Sequence, residues 1–344
     1  MTGIRRTRVR HVAALLTAAL ASLCSLPSAY VGYAAAAEAT SSPLPGPLVT
    51  AQWLHDHGDG VTVIDIGDDA RRLTTPPKFV VDQKTGAKTL TETGGHIAGA
   101  LFVDFSTIRE ARTVDGINLV AMMPTKESFE KVMDAAGLDN GKTIVIAPVG
   151  DSVESLGMAT RLLFQLKYFG EDKVAILNGG TNAWLSAGYP VSTDPVPTRK
   201  GDWAATAERK EILATTDDVK ASLRDHSAQL VDARPTAQFF GIAKSPVVTA
   251  AGHVEGARSF PTDAVTAPAG AARLFLNEKQ YRAIFQHQGI NPDQPSISYC
   301  NTGHYGSGAW FVAYEILGQK GAKLYAGSMN EWTHLNNPVV GLPQ

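Results

Sequence analysis

The chain has 344 residues, of which 44% are hydrophobic and 19% are charged, and its formal net charge is −2. This length and composition are typical of a soluble globular protein with two domains of ordinary size. Because the chain is slightly acidic and carries no basic cluster beyond its first residues, nucleic acid and anionic lipid are poor partners for it.

The first 37 residues have the pattern of a secretory signal peptide. Arginines at positions 5, 6, 8 and 10 precede a short apolar run over residues 12–26, and four alanines precede Glu38. We therefore expect cleavage near Ala37, by the general or the twin-arginine route, and a periplasmic or secreted mature protein. Without the four leader arginines the mature chain has 27 basic and 33 acidic side chains, a net charge of −6. No stable membrane association is expected after cleavage.

The cysteine count points to one reactive group. The sequence holds two cysteines, and Cys24 lies in the predicted leader, so Cys300 is the one cysteine expected in the mature protein. A cysteine that cannot form an internal disulfide in an oxidising compartment is either buried and inert or kept for its reactivity. The sequence around Cys300 favours reactivity.

Cys300 lies in a tight loop between a predicted strand and a predicted helix. The strand ends at Tyr299, and the helix is predicted from Ser307 to Leu317 because that run is apolar on almost every face and is followed by a glycine. The loop over residues 300–306 contains two glycines and small polar side chains. Its N–H groups can converge over the sulfur and the helix start adds partial positive charge, so the layout favours a thiolate with an anion bound beside it.

One pattern of short apolar strands, helices and motifs occurs twice along the chain. The first copy comprises a strand over 61–65, a Gly-His turn at 95–100, helices at 125–136 and 156–168, a strand at 143–147 and a closing segment at 174–184. The corresponding segments of the second copy are 229–234, 252–257, 277–288, 307–317, 297–299 and 323–332. Alternating strands and helices predict an α/β fold in which each copy is a parallel sheet with helices on both faces.

Because each copy of the pattern spans more than 100 residues, the repeat indicates a duplicated domain rather than a solenoid. The predicted organisation is a flexible tether over 38–47, a first domain over 48–190, a linker over 191–211 and a second domain over 212–344. The linker is predicted from its prolines and its lack of apolar periodicity.

In this order, the motifs resemble the tandem-domain rhodanese-type sulfurtransferases, the family of thiosulfate and 3-mercaptopyruvate sulfurtransferases. The resemblance covers about residues 48–340. It rests on the aspartate-ended strands at Asp65 and Asp232-Ala-Arg234, the two Gly-His-x-x-Gly-Ala turns, the strand–cysteine–loop–helix and the closing Gly-Ser-x-x-Glu-Trp. It implies two rhodanese-like domains, of which only the second carries the catalytic cysteine, since the matching position of the first is near Pro148.

The resemblance implies a sulfur relay with Cys300 as the catalytic residue. The thiolate attacks the outer sulfur of a small anionic donor such as thiosulfate, and the resulting persulfide passes its sulfur to cyanide or a thiol. No cofactor or metal is expected, and the protein is expected to be a monomer. The residues expected to bind the substrate are Asn301, Thr302, Gly303, His304, Tyr305 and Gly306 of the loop, together with Arg234 and Arg258.

Two departures from the family pattern bear on the substrate. Where mercaptopyruvate enzymes carry an arginine after the Asp-x-Arg strand, this chain has Ala237-Gln-Phe-Phe-Gly241, which disfavours 3-mercaptopyruvate relative to thiosulfate. The loop also lacks lysine and arginine, so a charged His304 would help bind a dianion, and activity would rise toward acid pH. In the other interpretation His304 is only exposed on the loop. His96 and His253, in matching turns of the two copies, are expected to be structural.

Two other classes of protein would also use a cysteine on such a loop. A phosphatase or arsenate reductase of the Cys-x5-Arg type needs an arginine where this chain has Gly306, so that class is disfavoured. A non-catalytic sulfur carrier or redox-sensing protein would use the same Cys300 and stays open. Turnover with a small acceptor separates enzyme from carrier, because an enzyme cycles whereas a carrier stops after one equivalent.

Overall fold

Residues 44–342 are described by the computed structural model. The predicted signal peptide, its cleavage site and the first part of the predicted tether lie outside the described residues. Every helix within the described range is too short or too polar to span a membrane.

The first half of this range folds around a five-stranded parallel sheet. Its elements are β1 (Leu48–Val49), α1 (Ala51–His57), β2 (Thr62–Gly67), β3 (Lys78–Val81), β4 (Lys88–Glu92), β5 (Leu101–Asp104), β6 (Glu110–Val114), β7 (Ile117–Met122), α2 (Lys126–Ala136), β8 (Ile144–Pro148), α3 (Val153–Tyr168), β9 (Val174–Leu177) and α4 (Gly180–Ser186). The sheet has the strand order β1–β9–β8–β2–β5. β3–β4 and β6–β7 form two separate antiparallel hairpins.

The second half repeats this arrangement. Its elements are β10 (Leu213–Ala214), α5 (Thr216–Asp225), β11 (Gln229–Asp232), α6 (Thr236–Phe239), β12 (Arg258–Ser259), β13 (Thr266–Ala269), β14 (Ala272–Phe275), α7 (Glu278–His287), β15 (Ser296–Tyr299), α8 (His304–Phe311), β16 (Lys323–Tyr325) and α9 (Ser328–His334). The sheet order β10–β16–β15–β11–β12 matches that of the first sheet strand for strand, and all neighbours are parallel. The predicted duplicated α/β fold is confirmed.

Local capping decides where several helices begin. α2 follows Thr125, whose hydroxyl accepts the N–H of Ser128, and α7 follows Asn277, which forms a capping box with Gln280. Because these signals are local, the predicted helices over 125–136 and 277–288 are confirmed to within one residue at each end.

The helix after Cys300 begins earlier than predicted. α8 starts at His304, three residues before the predicted Ser307, because Gly303 adopts φ +77 and turns the chain directly into the helix. Residues 304–306 therefore form the first turn of a helix rather than part of a loop.

Helix α3 of the first copy packs along α8 of the second copy. Gly157 of α3 lies so close to His304 that a Cβ at position 157 would be 2.8 Å from the ring Nε2. Farther along the two helices, the buried hydroxyl oxygens of Thr160 and Ser307 are 2.8 Å apart. One cluster of buried apolar side chains continues from the first copy into the second, so the two copies share a core at this interface.

The predicted linker packs against the first copy. Trp203 of the linker is buried, and Ser192 exchanges two backbone hydrogen bonds with His96. In the second copy Val340 exchanges the same pair of bonds with His253. The two Gly-His turns thus tie corresponding segments in both copies, which is a structural role. The domain boundaries at 190 and 212 stay predictions.

Candidate active site

Cys300 lies at the carboxyl end of β15, the central strand of the second sheet. The carboxyl ends of parallel strands are the edge at which α/β folds bind ligands. The cysteine is buried, with 1% of its surface exposed. Only a small reactant can reach such a sulfur without displacing its neighbours.

The start of α9 holds the backbone of Cys300 in place. The Cys300 N–H donates to Ser328 Oγ at 3.0 Å, and the Cys300 carbonyl accepts the N–H of Met329 at 3.0 Å. The carbonyl of Asn301 accepts the N–H of Asn330 at 2.9 Å. Ser328 adopts φ +54, a conformation uncommon for a residue other than glycine. The closing Gly-Ser-x-x-Glu-Trp motif therefore positions the cysteine.

Two glycines bring the chain close to its neighbours beside the sulfur. A Cβ at Gly303 would lie 2.4 Å from Nη1 of Arg161 and 2.8 Å from the carbonyl oxygen of Ala326. A Cβ at Gly306 would lie 3.1 Å from the backbone of Tyr299. The glycines thus let α8 begin directly above the end of β15, where the unpaired N–H groups of a helix start carry partial positive charge.

The cation of the site comes from the other copy. Arg161, on α3, is fully buried, and its Nη1 donates to the carbonyl oxygen of Gly303 at 3.3 Å, across 142 residues of sequence. Its Nε and Nη2 are buried without a hydrogen-bond partner, and no carboxylate in residues 44–342 forms an ion pair with it. A buried charge normally has a counterion, so this guanidinium is free to bind an anion.

Arg161 stays charged at neutral pH despite its burial. Burial lowers the pKa of Arg161 to about 10, while negative charge on Cys300 acts in the opposite direction. The guanidinium therefore places positive charge beside the sulfur. Arg161 was not among the residues predicted from the sequence; the signal that could have identified it is one arginine within an otherwise uncharged stretch of α3.

His304 is neither a cation over the thiolate nor exposed on a loop, so both interpretations of it are wrong. Its ring is buried in the interface, and its Nε2–H donates to the carbonyl oxygen of Glu154 at 3.1 Å. The ring centroid lies 4.6 Å from that of Phe105 and 4.9 Å from that of Tyr305. Burial lowers the pKa of His304 to about 3, so the ring is neutral at physiological pH and cannot supply charge to the donor.

The other residues of the predicted loop surround the sulfur in different ways. The amide of Asn301 donates to Oε1 of Gln238 at 2.8 Å, and its own Oδ1 is buried without a partner. Thr302 and Tyr305 are half-buried. Their contribution to substrate binding stays a prediction.

Arg234 lies near Cys300, but its guanidinium forms an ion pair with Asp232. Its Nε and Nη2 donate to both carboxylate oxygens of Asp232 at 2.6–3.1 Å, and Nη2 also donates to the carbonyl of Gly252 at 2.7 Å. Both side chains of the ion pair are buried. This geometry fits a tie between the strand end and the Gly-His turn.

Arg258 is far from the sulfur, and its predicted role in substrate binding is wrong. Its side chain lies in a groove with Gln229 and Gln294, at the amino ends of β11 and β15, whereas Cys300 follows the carboxyl end of β15. The side chain is exposed and reaches the turn at Gly289, which precedes β15.

The matching loop of the first copy follows β8 at Pro148 and contains no thiol. The N–H of Gly150 donates to Ser155 Oγ, and its carbonyl accepts the N–H of Arg273. Both backbone groups of Gly150 are thus already paired, and Asp151 adds an exposed negative charge.

Comparison with known proteins agrees with this geometry. The rhodanese-like domain model matches residues 215–335, the half that contains Cys300. A Haloferax volcanii protein whose name assigns it provisionally to the thiosulfate sulfurtransferases is 31% identical over 303 residues, covering 86% of this chain and 95% of its own. The chain belongs to the rhodanese-type sulfurtransferases. It is therefore a sulfurtransferase, and its duplicated fold is that of the two-domain members of the family.

Two further similarities bear on function and fold. The Thermus thermophilus sulfur carrier protein TtuD is 27% identical over 310 residues, covering 87% of this chain and 96% of its own. A crystal structure of the anaerobic ergothioneine biosynthesis enzyme from Chlorobium limicola superposes with a TM-score of 0.68 at 23% identity, covering 86% of this chain and 71% of that one. The second similarity concerns the fold alone.

The buried neutral His304 predicts a specific pH dependence of stability. In the unfolded chain a histidine titrates near pH 6.5, but the folded protein holds His304 neutral down to about pH 3. The unfolded state therefore binds the extra proton, and stability falls as the pH drops from 6.5 toward 3. His304→Gln retains an N–H donor for Glu154 and does not titrate.

We expect the free energy of unfolding of the wild type, relative to His304→Gln, to fall by about 2 kcal/mol between pH 7 and pH 5, or about 1.4 kcal/mol per pH unit below 6.5. Urea unfolding of both proteins at the two pH values measures this difference. Equal pH dependence in the two proteins would contradict the assignment of a neutral, buried ring.

Proposed function

We propose that the protein transfers sulfane sulfur from thiosulfate to cyanide or a thiol through a persulfide on Cys300. The observation that carries this proposal is the buried Arg161 guanidinium, which stands beside Cys300 with two unpaired nitrogens. A site with a nucleophile and an unpartnered cation suits a small anionic donor.

The first step is attack of the Cys300 thiolate on the outer sulfur of thiosulfate. A bond forms between the two sulfurs, the bond between the outer sulfur and the sulfonate breaks, and sulfite leaves as a dianion. The enzyme keeps one negative charge on the terminal sulfur of the persulfide. Arg161 and the N–H groups at the start of α8 stabilise the negative charge on the leaving sulfite and on the terminal sulfur of the persulfide.

The second step transfers the outer sulfur to the acceptor. Cyanide attacks the terminal sulfur of the persulfide, thiocyanate leaves, and the Cys300 thiolate is restored with its charge. A thiolate acceptor would attack in the same way and leave as its own persulfide. No oxidant or reductant is consumed in either step.

Thiosulfate is proposed over 3-mercaptopyruvate because of the residues around α6. The segment 237–241, where mercaptopyruvate enzymes carry an arginine, contains no basic residue here. The polar side chain it directs to the catalytic loop is Gln238, and this amide oxygen already accepts from Asn301. A carboxylate would find no free guanidinium in this segment, and the guanidinium of the nearby Arg234 is already paired with Asp232.

A sulfur carrier function is the second candidate, favoured by the similarity to the Thermus thermophilus carrier. Carrier and enzyme share the first step and differ only in whether a small acceptor completes the cycle. We also propose that one chain acts alone, since both the nucleophile and the cation of the site come from the same polypeptide.

Steady-state transfer from thiosulfate to cyanide tests the proposal, with 3-mercaptopyruvate run in parallel. We expect many turnovers with thiosulfate and few with 3-mercaptopyruvate. Thiocyanate released in one equivalent and then no more would identify a carrier. Preference for 3-mercaptopyruvate would contradict the proposed donor.

Two variants test in this assay whether Cys300 and Arg161 have the proposed roles in sulfur transfer. Cys300→Ser is expected to abolish transfer and to keep the circular dichroism spectrum and thermal midpoint of the wild type, because the oxygen replaces the sulfur at nearly the same volume. Arg161→Met is expected to lower kcat/KM for thiosulfate by at least about 10-fold through loss of a charge-assisted contact. Near-full activity of Cys300→Ser would contradict the mechanism.

We further propose that the protein is exported, on the support of the basic and apolar segments of residues 1–37. Expression of the full chain followed by cell fractionation and N-terminal sequencing tests this. We expect the protein outside the cytoplasm with its N-terminus close to Glu38. An intact N-terminus on cytoplasmic protein would contradict export.

A further inference from the structure

A second arginine of the first copy lies close to Arg161 and is also without a partner. Arg109 follows β5 and is half-buried. Its Nε is buried with no hydrogen-bond partner. Asp104, Glu154 and Asp68 are the carboxylates whose charges reach it, but none forms an ion pair with it within residues 44–342.

An aromatic ring fixes the position of this guanidinium. The Cζ atom of Arg109 lies 4.0 Å from the ring centroid of Phe105, the distance of a cation–π contact. Phe105 also contacts His304, the first residue of α8, with ring centroids 4.6 Å apart. Arg109 is thus linked through Phe105 to the helix that starts beside Cys300.

The two guanidinium groups act on each other. The charge of Arg109 lowers the pKa of Arg161 and that of His304, and burial lowers the pKa of Arg109 itself. The buried Arg161 and the half-buried Arg109 carry like charges, and neither forms an ion pair within residues 44–342, so the two guanidinium groups repel each other. An anion carrying two negative charges would relieve this repulsion where a singly charged anion would relieve only part of it.

We propose that Arg109 is a second donor-binding residue, which together with Arg161 selects a doubly charged sulfur donor. This inference rests on the proposed function of the Cys300 site and adds its charge specificity. Arg161, the closer to the loop, holds the donor beside the sulfur, and Arg109 neutralises its second charge. Both cations come from the copy that lacks the cysteine.

The central variant is Arg109→Met, which keeps an apolar contact with Phe105 and removes the charge. Arg109→Lys keeps the charge and loses the planar donor geometry. Arg71→Met is the matched control, because Arg71 is in the same copy but its side chain is 90% exposed and paired with Asp69. The two donors compared are thiosulfate, a dianion, and an aryl thiosulfonate, a monoanion with the same transferable sulfur.

We expect Arg109→Met to lower kcat/KM for thiosulfate by about 10- to 100-fold and to leave kcat/KM for cyanide unchanged, since cyanide meets the persulfide after the donor has left. The loss with the aryl thiosulfonate is expected to be smaller by about 10-fold. Arg109→Lys is expected to recover part of the activity, and Arg71→Met to behave like the wild type.

Several results would overturn the proposal. One is an unchanged kcat/KM for thiosulfate in Arg109→Met, and another is an equal loss of kcat/KM with thiosulfate and with the aryl thiosulfonate. A third is an equal loss of kcat/KM for thiosulfate and for cyanide, which would indicate a structural role for Arg109. Binding of thiosulfate to Cys300→Ser by calorimetry provides a readout without turnover. Adding Arg109→Met should raise that Kd by about 10-fold or more.

This binding measurement distinguishes a failure of the proposed function from a failure of the proposal for Arg109. If the wild type fails to turn over thiosulfate but binds it in an Arg109-dependent way, the proposed function fails and the dianion site stands. If turnover occurs and binding does not depend on Arg109, the proposed function stands and this inference fails.

Discussion

The contact between α3 of the first copy and α8 of the second is the interaction on which the site depends. It inserts the Arg161 guanidinium beside the loop that holds Cys300, and it can do so only because position 303 has no Cβ. A buried cation is costly unless something compensates for it. Here the Gly303 carbonyl supplies one hydrogen bond, and the remaining two nitrogens are buried without partners.

This arrangement divides the work between the two copies of the fold. The second copy supplies the nucleophile, the backbone that holds it and the helix start above it. The first copy has no thiol at the matching strand end, but it supplies the buried Arg161 and the half-buried Arg109. The copy without the cysteine is therefore part of the active site, because its α3 carries the charge that the catalytic loop lacks.

The features that depend on local sequence could be predicted. Helix starts at Thr125 and Asn277 follow from capping side chains three residues from their partners, and the reactive cysteine follows from a strand, a glycine-bearing loop and a helix in succession. The duplicated sheet followed from motifs repeated in order. Each of these signals lies within a short window of the chain.

The predictions that were wrong concern features that depend on contacts between distant segments of the chain. His304 is neutral because α3 covers it, and no residue near it in sequence indicates that cover. Arg161 reaches the loop across 142 residues, and the side chain of Arg258 packs toward the opposite edge of the sheet, which its sequence motif does not indicate. Burial and charge at the domain interface are set by packing, which a pattern within one segment does not contain.

The central claim is that Cys300 takes a sulfur atom from the donor and gives it up to the acceptor. Intact-mass spectrometry of the wild type and Cys300→Ser, before and after thiosulfate and again after cyanide, tests it most directly. We expect the mass of the wild type to increase by one sulfur atom, located on the peptide containing Cys300 and lost on addition of cyanide. No gain in the wild type, or the same gain in Cys300→Ser, would contradict it.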